Sequence, residues 1–505
     1  MAGRMRLRQW QAVAYYAGLV VLSLGGLMLI PLATALIQRE WPVAVDFALS
    51  AAVAAVVGFG MLLLGPPGGG DLTWSQGMAA AAFAWLIGML VAAVPYYLSG
   101  HWGSYLDAAF DVMSGFTTTG LVLVQDLDHI ADGVNMWRHL LTWVGGQGMV
   151  VLALMFFVRG LPGAFKLYVG EAKDERLLPN VIHTARAIWY ISVVYLAVGT
   201  ALQWAAGLAI GLPPGRALLH GLWVFMAGWS TGGFAPMSQN IVYYHSLLYE
   251  VVTVVFFIIG SFNFNLHWAV WQGDRRELVR NLETVTFLVT TTVLGALTVW
   301  DLAVSGTYPG AVGLFRRGWY SLISAHTTTG FMTVYAQQFA REWGPLALAA
   351  ITLAMLFGGS ASSTAGGFKA VRIGLAAKAI AHDVRRLVAP ESAVVVEKFH
   401  MFRSAVLEDR LVRTALSVIV LYVMLWFVLV LIGAYYAPSY GWAFTDVMFE
   451  AASVTGNVGL TAGVTSPAMP ALMKVAYIAG MWLGRLEFLS VFVLVAFAVK
   501  AVSRR

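Results

Sequence analysis

Ten apolar stretches divide the sequence, near residues 12–36, 43–64, 74–98, 139–158, 184–208, 244–270, 282–304, 345–380, 411–436 and 472–499. About 20 apolar residues suffice for a helix to cross a bilayer. Backbone within hydrocarbon must satisfy its own hydrogen bonds, which leaves helices as the way for such stretches to cross. The pattern predicts an all-α polytopic membrane protein. Composition agrees, with 59% hydrophobic and 11% charged residues among 505, where soluble domains carry ~25% charged residues. The absence of cysteine excludes a disulfide framework, a thiolate metal site and a cysteine nucleophile.

A net charge of +6 suggests a nucleic-acid partner only until its distribution is examined. Of 31 Lys and Arg, 23 fall at the amino terminus, in residues 159–186, 272–280 and 369–413, and in the tail from Lys500. Basic residues flanking membrane spans mark the cytoplasmic side. This places both termini inside, consistent with an even number of spans, and leaves lipid rather than nucleic acid as the surrounding partner. The first stretch follows Arg4, Arg6 and Arg8 like a signal peptide. It is longer than an h-region and a second span follows at once, so it reads as a retained helix.

Between certain spans lie short Gly-rich segments that resemble one another: SGFTTTGL from Ser114, AGWSTGGF from Ala227, SAHTTTGF from Ser324 and SVTGNVGL from Ser453. In phase they align Gly120, Gly233, Gly330 and Gly459, with Thr118, Thr231, Thr328 and Asn457 two positions earlier. Asp107 and Asp111 precede the first segment at the intervals by which Asp446 and Glu450 precede the last. Gly145, Gly260, Gly358 and Gly484 follow their own segments by 25 to 28 residues. The repeat predicts four helix/re-entrant pore loop/helix units around one pore, over residues 71–165, 166–275, 276–385 and 386–505, preceded by an N-terminal two-helix hairpin over 1–70.

Irregular backbone at membrane depth is tolerated where it is buried in protein or lines a watery cavity. Glycine allows conformations closed to other residues, so four such turns can direct carbonyl oxygens at a dehydrated cation. Helices ending at the turns would add their negative dipole ends. The expected cation-contacting set, potassium-binding once the resemblance below is taken into account, is Thr117, Thr118 and Gly120; Thr231, Gly232 and Gly233; Thr327, Thr328 and Gly330; and Asn457, Val458 and Gly459.

These residues, with TWVGGQGMVVLALMF from Thr142, FNFNLHW from Phe262, GGSASSTAGGFKAVR from Gly358 and GMWLGRLEFLSVFVL from Gly480, resemble the TrkH branch of the Trk/Ktr/HKT potassium transporters. The resemblance implies potassium uptake across a bacterial cytoplasmic (inner) membrane, through a weakly selective filter with potassium as its only bound group. It also implies a homodimer and a cytoplasmic, TrkA-like nucleotide-binding subunit. No GxGxxG after a strand occurs here, so nucleotide regulation would arrive through that partner. The basic segment 369–413 reads either as a positive-inside loop or as its docking surface.

Three features carry competing readings. The small-residue run Gly358, Gly359, Ser360 through Gly366 and Gly367 is either a packing seam or an intramembrane loop that gates the pore. Arg485, inside the last apolar stretch, is either a charge barrier below the filter, as the resemblance implies, or a brace paired with Glu450. Asp107, Asp111, Asp126, Asp128 and Asp132 fall in a stretch without Lys or Arg and would make an outer mouth of one sign. An intramembrane serine hydrolase around Ser324 and His326 lacks any recognised motif. A proton- or sodium-coupled carrier of another cation or small solute would show two inverted repeats rather than four of one topology.

Overall fold

The computed structural model describes residues 2–64, 73–148, 151, 181–390 and 392–502. It is helical throughout, apart from one antiparallel hairpin that the all-α expectation did not include: Lys398–Met401 paired with Arg403–Val406. Six helices are long and apolar enough to cross a membrane unbroken: Trp10–Ile37, Trp41–Leu63, Trp74–Leu98, His183–Ala209, Leu282–Val304 and Asp409–Tyr440. This is a multi-pass membrane protein. The first two pack closely on one another, Gly18 and Gly58 letting their backbones approach.

The remaining predicted spans are not straight rods. Residues 244–270 form Leu247–Gly260 and Phe264–Trp271, bent by 99°, and residues 472–499 form Ala471–Arg485 and Leu489–Lys500, bent by 117°. Residues 345–380 divide into Pro345–Phe357 and a helix from Ala370. The stretch expected at 139–158 is helical to Gln147, and most of its remainder lies outside the described residues. Hydropathy could not reveal these breaks, because glycine, serine and phenylalanine at the bends keep the window apolar. The breaks after Gln147, Gly260, Phe357 and Arg485 each fall 26 or 27 residues after Gly120, Gly233, Gly330 and Gly459 respectively.

Four shorter helices end at the four repeated segments: Tyr105–Phe116, Pro214–Trp229, Tyr320–His326 and Phe444–Gly456. The third is extended at its start by a π-helical turn, Leu314–Trp319. Each is followed by the helix that later breaks. On the side bearing the basic segments, Glu397 joins the hairpin to the helix Ala370–Val388 through Lys378 (2.7 Å) and Arg385 (2.5 Å). Glu277 receives the hairpin's His400 at 2.6 Å. The hydrogen bond from Lys378 is the chief cause holding the Glu397 carboxyl below its usual range.

Candidate functional site

Each repeated turn is a helix C-cap. In the Schellman arrangement a left-handed residue ends the helix, and it and its successor donate to carbonyls of the last turn. Here Thr118, Thr231, Thr328 and Asn457 are left-handed, with φ of 55°, 50°, 57° and 55°. Their successors Thr119, Gly232, Thr329 and Val458 donate backbone N–H bonds to Ser114, Ala227, Ser324 and Ser453, at 2.8–2.9 Å. The left-handed position favours Gly or Asn, and a β-branched residue there is strained by about 1–3 kcal/mol. Three of the four turns carry threonine and bear that cost.

The next residue in each turn, Gly120, Gly233, Gly330 or Gly459, also has positive φ. A methyl group added to these four would stand 2.6 Å from Gly232 O, 2.2 Å from Thr329 O, 1.9 Å from Val458 O and 2.1 Å from Thr119 O. The order is cyclic, each glycine lying against the carbonyl of the following unit and the last closing on the first. The four turns therefore form one closed ring. Gly233 is the glycine in phase; Gly232 is glycine for a separate reason, since a methyl there would meet Thr142 Oγ1 at 2.0 Å.

The ring's side chains follow a lower symmetry. Thr117 and Thr119 hydroxyls pair at 2.7 Å, and Thr327 and Thr329 at 2.8 Å. The second and fourth units have no such pair, holding Ser230 with Gly232 and Gly456 with Val458. Asn457 Nδ2 reaches across to Thr119 Oγ1 (3.0 Å) and to Met481 O (2.9 Å).

Directly beneath lies the layer of broken helices. Gly145, Gly260 and Gly484 are packed so closely that an added methyl would meet Phe116 O, Trp229 O and Thr455 O at 2.0, 2.0 and 2.6 Å. Gly358 departs from this, facing Gly366 O of its own segment instead. That segment leaves and rejoins the third unit at one place, where Phe368 N bonds Leu356 O (2.8 Å) and Lys369 N bonds Phe357 O (3.1 Å). Residues 358–367 are thus an inserted loop. The Thr364 hydroxyl donates to Gly260 O (2.7 Å) and Trp229 O (3.1 Å), and also meets Thr231 Oγ1 at 3.1 Å. Gly366 N donates to Thr328 Oγ1 at 2.7 Å, and Ser360 N to Ser261 O at 2.9 Å. Gly359 and Gly366 allow contact with Ser261 O and Gly456 O. Of the two sequence readings this geometry matches an inserted loop, not a seam between straight helices.

Arg485 ends the fourth inner helix. Its guanidinium donates to Thr364 O of the loop and to Gly145 O (2.9 Å) and Gly146 O (3.3 Å), carbonyls near the end of the first unit's inner helix. It does not pair with Glu450. That carboxylate instead accepts from Ala462 N (2.9 Å), Thr465 N (3.1 Å) and the Thr461 and Thr465 hydroxyls. Asp111 does the same in the first unit, accepting from Leu123 N (2.7 Å) and Trp102 Nε1 (2.8 Å). Both carboxylates tie the segment leaving the turn back to the helix that precedes it. Glu487, two residues after Arg485, pairs with Arg372.

On the outer side the aspartates are not a field of one sign. Asp107 pairs with Lys474 (2.6 Å), Asp132 with Arg216 (3.1 Å) and Asp126 with His129 (2.8 Å), while Asp128 accepts from Ser238 N. Lys474 and Arg216 come from other units, so their arrival was invisible in the local sequence. Arg316 clamps Glu250 through two bonds of 2.7 and 2.9 Å, again between units. Sequence reasoning also passed over Arg138, a buried arginine facing the outer cavity above the ring; only its place in an otherwise apolar stretch could have signalled it.

Comparison with known proteins agrees with this geometry. A crystal structure of the potassium transporter TrkH from Vibrio parahaemolyticus superposes with a TM-score of 0.81 at 24% identity, covering 97% of this chain and 99% of that one, which establishes the fold. A cation transporter of Methanocaldococcus jannaschii is 29% identical over 98% of this chain and 97% of its own. The Trk system potassium uptake protein TrkG of Escherichia coli is 28% identical over 96% and 97%, and TrkH of Halomonas elongata is 29% identical over 84% and 86%. The model of the TrkH family, described as cation transport protein, matches residues 71–503, and the chain belongs to that family.

Proposed function

We propose that this protein takes up potassium through the ring formed by residues 117–120, 230–233, 327–330 and 456–459. The observation that carries the reading is the cyclic closure of four left-handed helix caps, which gathers main-chain oxygens and four helix C-termini around one axis. Carbonyl dipoles replace the ion's hydration shell, and the negative helix ends favour a cation. One glycine per turn gives a short filter, so discrimination against sodium is modest. Relatives named as Trk system potassium uptake proteins support potassium as the cargo. Their transport role is shared by the family and leaves no support for the hydrolase alternative.

The arrangement beneath the ring is a closed gate in this reading. Conduction requires residues 358–367 to leave the axis, breaking the bonds of Thr364, Gly366, Ser360 and Arg485. Neutral hydrogen bonds contribute about 1 kcal/mol net and charged ones about 1.5–3, so seating the loop is worth on the order of 5 kcal/mol. Reversing an equilibrium from 1:99 to 99:1 takes about 5.5 kcal/mol. A regulatory partner of the TrkA kind, acting from the cytoplasmic side on a homodimer in the inner membrane with both termini inside, is suited to supply it. Fixed charge at Arg485 also opposes a cation below the filter.

Rubidium uptake into liposomes by the purified protein tests the reading. Flux driven by a rubidium gradient alone is expected, slow while residues 358–367 are seated and faster once Ser360 to Gly366 are deleted, and competed by potassium more strongly than by sodium. Flux that appears only with an imposed proton or sodium gradient would replace the channel by a coupled carrier.

A further inference from the structure

We infer that Arg138 is a valence-discriminating residue, a fixed positive charge at the outer face of the ring that admits monovalent cations while holding divalent ones away. The inference rests on the proposed cation pore. Arg138 lies nine residues before the break of the first inner helix and is 1% exposed. One guanidinium nitrogen, Nη1, donates to Asn135 Oδ1 (3.0 Å) and Ala235 O (3.1 Å). The other two, Nε and Nη2, have no hydrogen-bond partner among the described residues. The guanidinium carbon stands 4.8 Å from the centre of the Phe234 ring, so one face is covered.

An outer cavity of about 70 Å³ is lined by Gly120, Gly233 and Gly459 of the ring and by Arg138, the sole charged residue in its lining. A guanidinium is always protonated, and none of the ion pairs formed by the described residues includes Arg138. Asp111 interacts with Arg138 electrostatically but forms no ion pair with it, its oxygens being taken by Leu123 N, Val124 N and Trp102 Nε1, so its charge offsets that of the guanidinium only in part. The repeat itself does not need an arginine here. Counting 18 residues from each ring glycine, the corresponding positions are Val251, Leu348 and Tyr477. Burying a charge is costly, and none of the three corresponding residues is charged, so the repeat alone gives no reason to bury a charge at the fourth.

Coulomb repulsion scales with the charge of the approaching ion. A single arginine therefore raises the barrier for a divalent cation twice as much as for potassium. Within a narrow, low-dielectric mouth that difference is focused on the ring. External barium, close in size to potassium, is the probe that exposes it.

The experiment measures rubidium uptake in liposomes as external barium is raised, for wild type, Arg138→Gln, Arg138→Lys and Asn135→Asp. The last variant leaves the arginine in place and neutralises it through the existing 3.0 Å contact. Arg138→Gln and Asn135→Asp are expected to be inhibited at barium concentrations at least about fivefold lower than wild type, from the doubled Coulomb effect on a divalent ion. Arg138→Lys is expected to remain near wild type. Unchanged barium sensitivity in a folded Asn135→Asp or Arg138→Gln protein overturns the inference, as does an Arg138→Lys that behaves like Arg138→Gln. If Arg138→Gln does not fold, Asn135→Asp decides alone. Rubidium flux absent both from wild type and from the protein lacking Ser360 to Gly366 would overturn the proposed function and this inference with it.

Discussion

The ring of turns and the layer directly beneath it are built from the same four units but obey different rules. In the ring, every unit supplies a helix C-cap, a left-handed residue and a glycine pressed against its neighbour's carbonyl. In the layer below, every unit supplies a helix break at the same distance from its glycine. What fills the breaks differs: the third unit inserts residues 358–367, and the fourth supplies Arg485, which bonds to that loop and to the first unit. Repetition makes the closed ring, and departure from repetition makes the loop and arginine beneath it, which in the proposed function are the ion path and its gate.

The comparison breaks most completely if a ring position is altered. Gly330→Asp places a side chain where a methyl would already stand 1.9 Å from Val458 O, and selective rubidium uptake is expected to be abolished while the helices still insert. Wild-type selectivity in a folded variant would show that the ring is not the filter. Next in size, deleting Ser360 to Gly366 should raise uptake by about a hundredfold or more, because seating the loop is worth several kcal/mol. The bonds Phe368–Leu356 and Phe357–Lys369 lie outside the deletion and leave the helix ends joined. A folded deletion that conducts no better than wild type would make the loop a packing element.

Arg485→Ala should sharpen the lower layer's role with a smaller gain. A unit charge ~6 Å from the ion at an effective dielectric of ~20 contributes roughly 2–3 kcal/mol, and flux should rise roughly tenfold at least. A fall in flux accompanied by a lower melting temperature would instead identify a brace. Asn457→Thr makes the fourth turn like the other three. It removes the bonds to Thr119 Oγ1 and Met481 O and puts a β-branched residue in the left-handed position, at a cost of about 1–3 kcal/mol. Uptake should fall severalfold and thermal stability should drop, with both read on the same preparation.

The smallest effect is expected outside both layers. Glu397→Gln loosens the hairpin from Lys378 and Arg385 by about 1 kcal/mol or less, since both partners are solvent-accessible, and should leave flux unchanged. The depressed carboxyl of Glu397 gives its stabilisation above its unfolded range, near 4.3, and loses it as pH falls further. Hairpin protection from protease should therefore be constant from pH 8 to 6 in wild type.

The sequence made the ring legible and the floor only partly so, for physical reasons. A left-handed cap followed by glycine leaves a local signature, and four copies in phase located the turns at Gly120, Gly233, Gly330 and Gly459. The pairing of Asp111 with Glu450 was also readable as an interval, and the structure gives both the same task. The helix breaks were hidden because Gly260 is close to neutral in hydropathy and the apolar residues on both sides of Arg485 keep the window average high despite its charge. The cations that meet Asp107 and Asp132 were hidden because Lys474 and Arg216 are brought near by the closing of the ring, not by neighbourhood in the chain.

Closure between the fourth and first units carries a consequence for biosynthesis. Asn457 bonds to Thr119 across 338 residues of sequence, and Gly459 and Lys474 join the first unit at Thr119 O and Asp107. Translation proceeds at roughly 5–20 residues per second, so the first turn is complete for tens of seconds before its last neighbour emerges from the ribosome. During that interval a strained polar turn waits in the membrane with one side open. The insertion machinery, or the early helices themselves, must shelter it, and the ring closes only once the fourth unit has been released.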